Sequence, residues 1–319
     1  MKICLIGCGG MAQVAHGPSY MKYKEQNPDI QFVACCDIDM QKVVEMKEKF
    51  GFLRCYNDYV EMLNKEKPDG VCLISPEHLT MELSIAVMEM GYHILLEKPP
   101  GLDDEQTRKM IEVANRKGVI NQVAFNRRFV PLIGRLKKLL EYDTIYSIHC
   151  DLYRVSRTEN HFYTTAIHCI DAVKFLANSD YKKIDFTYQE LYSLGDGVAN
   201  VFMSGVFENG THATFNICPT VGVNKERITI NCFNATYIIE VPVGQQKVGT
   251  LTKYHLDNVV LQLEDSNSES YVNSGFYNEN ADFFDNVRSG QMSKNDIKSG
   301  LQSVVCANCI KLRKEVYVL

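Results

Sequence analysis

The 319 residues include 45% hydrophobic and 23% charged side chains, with a formal net charge of -5. That length implies two domains rather than one core, and the composition is that of an ordinary globular chain. No Lys/Arg-rich block is present, which excludes the electrostatic footprint of a nucleic-acid binder, and no apolar run approaches the ~20 residues of a membrane span.

The chain enters a strand-like run within a few residues, which leaves no room for a signal peptide. Twelve cysteines in 319 residues are too sparse for a disulfide scaffold. Cys4, Cys35, Cys72 and Cys232 lie inside apolar runs, as small hydrophobes do, and the expected compartment is a reducing cytoplasm. Cys306 and Cys309 are spaced CxxC in a helical pattern. With no second ligand pair they read as core thiols, and no metal site is expected.

In chain order, "KICLIG" reads as a buried strand. "MAQVAHGPSYMKYKEQN" follows as a helix interrupted near Pro18, and "IQFVACCD" is a second strand. "MQKVVEMKEKFG" is a helix closed by a glycine, as helix C-caps prefer. After the short run "LRCYND" come helix "YVEMLNKE", strand "GVCLIS", helix "LTMELSIAVMEMG" and strand "HILLEK". Helix "DEQTRKMIEVANRKG" and strand "INQVAFN" complete the series. Strands alternating with helices predict a doubly wound parallel sheet with right-handed crossovers.

Beyond helix "VPLIGRLKKLLEY" the pattern changes to strand-like runs, beginning with "TIYSIHCDLYRV". "ANVFMSGVFENGTHATFNIC" reads as a hairpin turning at Asn209-Gly210. Ala213, Phe215 and Ile217 alternate with His212, Thr214 and Asn216, so one face is half buried. "RITINCF" and "TYIIEVPV" continue the pattern, with helices at "TAIHCIDAVKFLA" and near the C-terminus. The fold class is therefore α/β, a Rossmann domain over residues 1–122 followed by an α+β domain over residues 123–319. The second domain rests on an open, mainly antiparallel sheet. Apolar residues in "VFMSGVF" and "ITINCF" are expected on an outer sheet face that a second copy covers, making a homodimer or homotetramer.

Gly7, Gly9 and Ala12 fit the spacing GxGxxG/A between the first strand and first helix, with Gly10 and Met11 inside the same turn. The first glycine permits the tight turn, and the second allows backbone to approach a pyrophosphate. The third small residue lets helix and strand pack, and the helix N-terminus offers N–H groups to the anion. Asp37 ends the second strand, where an acid accepts hydrogen bonds from the adenosine ribose, while Asp39 is better placed to cap the next helix. Ile38 follows Asp37 and no arginine is adjacent, which favours NAD over NADP; Lys42, one helical turn on, keeps NADP open.

"GCGGMA", "CDID", "ISPEHLTMELSIAVMEMGYHILLEKP", "FNRRF" and "IHCIDAVKFL" occur in this order. In them the chain resembles the glucose-fructose oxidoreductase / inositol dehydrogenase / rhizopine catabolism family. The resemblance implies an NAD(P)-dependent oxidoreductase moving a hydride between the nicotinamide and a carbon of a sugar, polyol or related metabolite. It implies that Lys98, in "LLEKPPG", is the active-site lysine, held by Glu97. It places the nicotinamide ribose near Ser75, Pro76 and His78. Asn126, Arg127 and Arg128 stand where the family makes nicotinamide or substrate contacts.

His168 matches the family's catalytic histidine, and its near-neutral titration suits a proton acceptor. Asp171, three residues on, completes "HxxD" and orients the helix or a neighbour. Many members carry an aspartate one turn before this histidine; here Thr164 stands there, as a candidate substrate contact without the charge that would raise the histidine's basicity. Arg154, Arg157, His161 and Tyr163 are further pocket candidates, and His16 is a candidate to face the pyrophosphate. Two rival functions follow from the same residues: an NAD-dependent sugar lyase or glycosidase using transient oxidation, and a non-catalytic dinucleotide-binding regulator, which Thr164 favours.

Overall fold

The computed structural model describes residues 1–246, 248–265 and 267–319. Strand β1 (Lys2–Ile6) leads through the glycine turn into a π-helical turn, Ala12–His16, and then α1 (Gly17–Gln26). The π turn has a local cause. Pro18 has no N–H, and its ring would collide with the carbonyl four residues back in a regular helix. The turn widens instead, and the Gly17 N–H bonds to the Ala12 carbonyl. The series continues with β2 (Gln31–Cys36), α2 (Met40–Phe50), β3 (Arg54–Tyr56), α3 (Tyr59–Glu66), β4 (Gly70–Leu73) and α4 (Glu77–Glu89). It ends with β5 (His93–Glu97), α5 (Asp104–Lys117) and β6 (Asn121–Ala124). The six strands are parallel in the order β3-β2-β1-β4-β5-β6. Apart from the outermost strand their side chains are nearly all buried, as both faces of a helix-covered parallel sheet require. Asp39 caps α2 by accepting from the Gln41 N–H at 3.1 Å, and Gly51, at φ 68°, closes it.

A 3₁₀ turn, Asn126–Phe129, precedes α6 (Pro131–Leu140), β7 (Ile145–Tyr153) and α7 (Tyr163–Ala177). Then come β8 (Tyr181–Glu190), β9 (Ala199–Phe207), β10 (His212–Cys218), β11 (Lys225–Cys232), β12 (Ala235–Val241), β13 (Thr250–His255) and β14 (Asn258–Glu264). The chain ends with α8 (Ser270–Asn273), α9 (Phe276–Ser289), α10 (Ile297–Lys311) and β15 (Val316–Val318). The second sheet runs β14-β13-β12-β11-β7-β10-β9-β8-β15, and among the described residues β7 with β10 is its one parallel pair. The β9–β10 hairpin turns where Gly210 takes φ 86° and the Asn209 side chain accepts from the Thr211 N–H at 3.1 Å. On β10, Ala213, Phe215 and Ile217 are buried and their alternates are not.

The apolar outer face read from β9 and β11 is only partly there. Val201, Met203, Ile228 and Ile230 are all buried. The alternate positions carry Phe202, Ser204, Val206, Thr229 and Asn231, with Phe233 exposed just beyond β11, so the open side of these strands mixes polar and apolar residues. Period-two patterning fixes which residues share a face, and here the bulky set took the covered side.

The chain divides into two compact units, Met1–Phe125 with Phe276–Leu301, and Asn126–Gly275 with Gln302–Leu319. The division read from sequence, 1–122 against 123–319, had no return of α9. That return follows from packing. Phe283 and Phe284 are fully buried in the core that holds Tyr20, Tyr23, Phe32 and Phe52. The ring centroids of Phe284 and Tyr23 lie 5.0 Å apart. Polar ties add register: Gln122 Nε2 donates to the Glu279 carbonyl at 2.8 Å, and the Ile297 N–H to Asn121 Oδ1 at 2.9 Å.

Candidate functional site

Strand order reverses between β1 and β4, and a dinucleotide binds in the crevice at such a point, beyond the carboxyl ends of the strands. Gly7 follows β1 and Ser75 follows the end of β4. Gly7 sits at φ 93°, and a Cβ there would lie 2.0 Å from the Ile74 carbonyl oxygen, so only glycine fits. Gly9 and Gly10 face open space, with nothing within 4 Å of where a Cβ would be. Met11 opens the π turn and is part exposed, and Ala12 is buried against the sheet. The turn thus offers bare backbone at a helix start, a cradle that fits a dinucleotide pyrophosphate.

Asp37 follows β2 and braces the turn from below. Its Oδ2 accepts the Cys8 N–H at 2.8 Å and its Oδ1 the Asp39 N–H at 3.0 Å. Each carboxylate oxygen has a second lone pair for a ribose hydroxyl. Ile38 is 95% exposed beside it. Lys42 pairs with Asp39 at 3.2 Å, and the bond to Lys42 holds the Asp39 carboxyl below its usual range. Ser75 Oγ and Thr80 Oγ1 share a hydrogen bond at 3.2 Å, while Pro76 and His78 are exposed at the start of α4.

Lys98 follows β5 directly and is half-buried, and the Lys98–Pro99 peptide is cis. Its N–H donates to Glu97 Oε2 at 3.1 Å. Glu97 Oε1 meets His16 Nε2 at 3.0 Å. Burial raises the Glu97 carboxyl, but His16 and then Lys98 pull it down, and it ends below its ordinary value. His16 is fully buried on the π turn, with Nδ1 3.2 Å from Asn280 Oδ1 on α9. It therefore does not face the glycine turn's pyrophosphate cradle. Sequence reading missed the Glu97–His16–Asn280 connection; the one local signal was Pro18 and the turn it distorts.

The second unit holds the other candidates. Thr164 and His168 lie one turn apart on α7, Thr164 buried and His168 half-buried. Thr164 Oγ1 donates to the His161 carbonyl at 3.0 Å. The helix is anchored through Asp171, which accepts from Arg128 at 2.8 and 2.6 Å and from Ser303 Oγ at 2.9 Å. Asp171 and Arg128 are both buried, so the "HxxD" acid anchors its helix.

Arg127 donates to Glu226 through Nε and Nη2, both at 2.6 Å. Arg154 bonds the same carboxylate; Glu226 and Arg154 are buried and Arg127 is half-buried, and the triad occupies both guanidiniums read as pocket candidates. Burial raises the Glu226 carboxyl, but the two arginines outweigh it and hold it at about 2. Arg157 pairs with Glu159, bonding it through Nε at 2.6 Å. Asn126 Nδ2 donates to the Ser274 carbonyl at 2.9 Å. Cys306 and Cys309 are buried on α10, their thiols pushed up by burial. Among the described residues no cluster of His, Cys, Asp and Glu is arranged to hold a metal, and no helix is long and apolar enough to cross a membrane.

A six-stranded 3-2-1-4-5-6 sheet with this glycine turn and a strand-end acid defines the class of Rossmann dinucleotide-binding proteins. Residues 1–125 match the Gfo/Idh/MocA family, described as an oxidoreductase family with an NAD-binding Rossmann fold. The chain is 28% identical over 157 residues to D-glucoside 3-dehydrogenase of Escherichia coli, covering 49% of this chain and 44% of that protein. It is 31% identical over 149 residues to myo-inositol 2-dehydrogenase of Thermotoga maritima, covering 47% and 43%. The chain thus spans a little under half the length of these curated relatives. A solved levoglucosan dehydrogenase in complex with NADH has the same fold at 17% identity, TM-score 0.84, over 100% of this chain and 98% of that one. A dehydrogenase of Clostridium difficile matches at 20% identity, TM-score 0.84, over 98% and 99%.

Proposed function

We propose that the protein is an NAD-dependent dehydrogenase acting on a CH–OH carbon of a sugar, polyol or related hydroxylated metabolite. The observation that carries the reading is the juxtaposition at one sheet edge. Gly7–Ala12, Asp37, Ser75–His78 and Glu97–Lys98 all follow the carboxyl ends of neighbouring strands β1, β2, β4 and β5. The family's NAD-binding description and relatives named for glucosides and inositol point the same way.

The bound nicotinamide supplies hydride acceptance or donation. The protein's own residues do the rest. Backbone at Gly7–Ala12 holds the pyrophosphate, and Asp37 takes the ribose hydroxyls, with no arginine beside it to receive a 2′-phosphate. Lys98 hydrogen-bonds the reacting oxygen and stabilises its alkoxide character as charge develops. His168 takes the hydroxyl proton in oxidation and returns it in reduction. The assembly in this reading is a homodimer or homotetramer through the open face of the second sheet.

The test is a panel of sugars, polyols and sugar acids followed by appearance of reduced cofactor. On the substrate it finds, Lys98→Met lowers turnover by ~10²-fold or more, with NADH affinity nearly unchanged. His168→Ala lowers turnover by ~10²–10⁴. Turnover that survives both substitutions overturns the assignment.

A further inference from the structure

Beneath Lys98 lies a closed polar chain that no part of the hydride chemistry uses. His16 is fully buried and Glu97 nearly so, and each end of the His16 ring meets an acceptor. At one end the orientation is fixed. Asn280 Nδ2 donates to the Phe276 carbonyl at 2.7 Å, so the amide oxygen must face the ring, and His16 Nδ1 must carry a proton to it. At the other end Nε2 faces Glu97 Oε1, while Oε2 accepts the Lys98 N–H. Two facing lone pairs in a buried site would repel, so a second proton lies between Nε2 and Oε1.

We propose that His16 is a positioning residue: a doubly protonated ring, locked by Asn280, that fixes the Glu97 carboxylate and through it the backbone of Lys98. The proposal rests on the reading of Lys98 as the active-site lysine, but its proton count does not. The π turn at Ala12–His16 belongs to the same device, because it turns the His16 ring into the interior where Glu97 ends β5. The direction of the Glu97 shift agrees, since a carboxyl accepting from an imidazolium and from a backbone N–H is held in its charged form.

Other titratable groups face the pair. Tyr20, one turn along α1, has its ring 6.2 Å from His16. The Tyr20 phenol is pushed up by burial and then by Cys72, with Glu279 and Glu97 adding to it, so it stays neutral. Lys98 is the cation nearest in sequence, and the Phe276 ring, 5.7 Å away, closes the remaining side. A charge-balanced imidazolium–carboxylate pair suits this enclosure better than a lone carboxylate, which burial would tend to neutralise.

The first measurement is nitrogen NMR of ¹⁵N-histidine-labelled protein near pH 7.5, with His16 assigned by its loss in His16→Gln. Both ring nitrogens are protonated in the wild type. In Glu97→Gln the carboxamide still accepts from Lys98 and donates to Nε2, so His16 becomes the neutral Nδ1–H form. A wild-type ring protonated at only one nitrogen, or a Glu97→Gln ring still doubly protonated, overturns the proposal.

The second measurement is hydrogen exchange at the Lys98 amide. His16→Ala speeds it by ~10-fold or more, and His16→Gln, whose carboxamide can still donate to Glu97, restores much of the protection. Equal exchange in wild type and His16→Ala overturns positioning, and His16→Gln serves as the comparison if the alanine variant does not fold. If Lys98→Met leaves turnover intact while these readouts hold, the reading of Lys98 fails and the His16 network stands.

Discussion

Glu226→Gln perturbs the second unit at one atom and can be followed quantitatively. Glu226 is buried on β11 between Arg127 and Arg154. Its carboxyl, ordinarily at 4.5, is held at about 2. Because this folded value lies below the unfolded one, the contribution is complete above pH 4.5 and is lost as pH falls towards 2. It amounts to about 3 kcal/mol at neutral pH and about 1 kcal/mol at pH 3. Seen from the other side of the same interaction, the amide leaves the buried Arg154 and the half-buried Arg127 without their counter-charge, a change that costs roughly 3–5 kcal/mol. Urea unfolding at pH 7.5 and pH 3 is the assay, followed by tyrosine fluorescence or circular dichroism because the chain has no tryptophan. The variant is less stable by about 3 kcal/mol or more at pH 7.5, and the gap narrows by about 2 kcal/mol at pH 3. A gap under about 1 kcal/mol at neutral pH, or one of equal size at both pH values, refutes the reasoning.

Two further outcomes follow. NADH binds several-fold more tightly than NADPH, and Asp37→Ala shrinks that preference; equal affinities in a fluorescence titration of the wild type count against the role given to Asp37. Light scattering at micromolar concentration gives the mass of a dimer or tetramer, and a monomer mass removes the second sheet as an interface.

Local signals in the sequence were legible where one physical rule dominates. The strand–turn–helix context placed the glycine turn, and of the two acids after β2 Asp39 was legible as the helix cap because capping geometry is local, whereas the Asp37 bond to the Cys8 N–H was not. Alternation on β10 was read correctly for the same reason. What stayed hidden depends on distant partners. "VFMSGVF" shows which residues share a face but not which face is covered. Arg127 reads as a pocket cation until Glu226, 99 positions away, closes on it. The contact between His16 and Asn280 spans 264 positions and passes through a π turn that residue spacing does not encode. Asp171 could be read as an orienting acid, yet its partner Arg128 had been assigned to the pocket.

The return of α9 to the first unit also sets an order of events during synthesis. A ribosome releases Tyr20, Phe32 and Phe52 long before Phe283 and Phe284, with residues 126–275 in between. Until those two rings emerge, the nascent Rossmann sheet shows an uncovered aromatic surface to solvent, of the kind that chaperones engage and that promotes aggregation. The first unit is therefore completed only after residues 126–275 have been synthesised. A fragment cut at Phe125 keeps every strand of the parallel sheet but lacks part of its core.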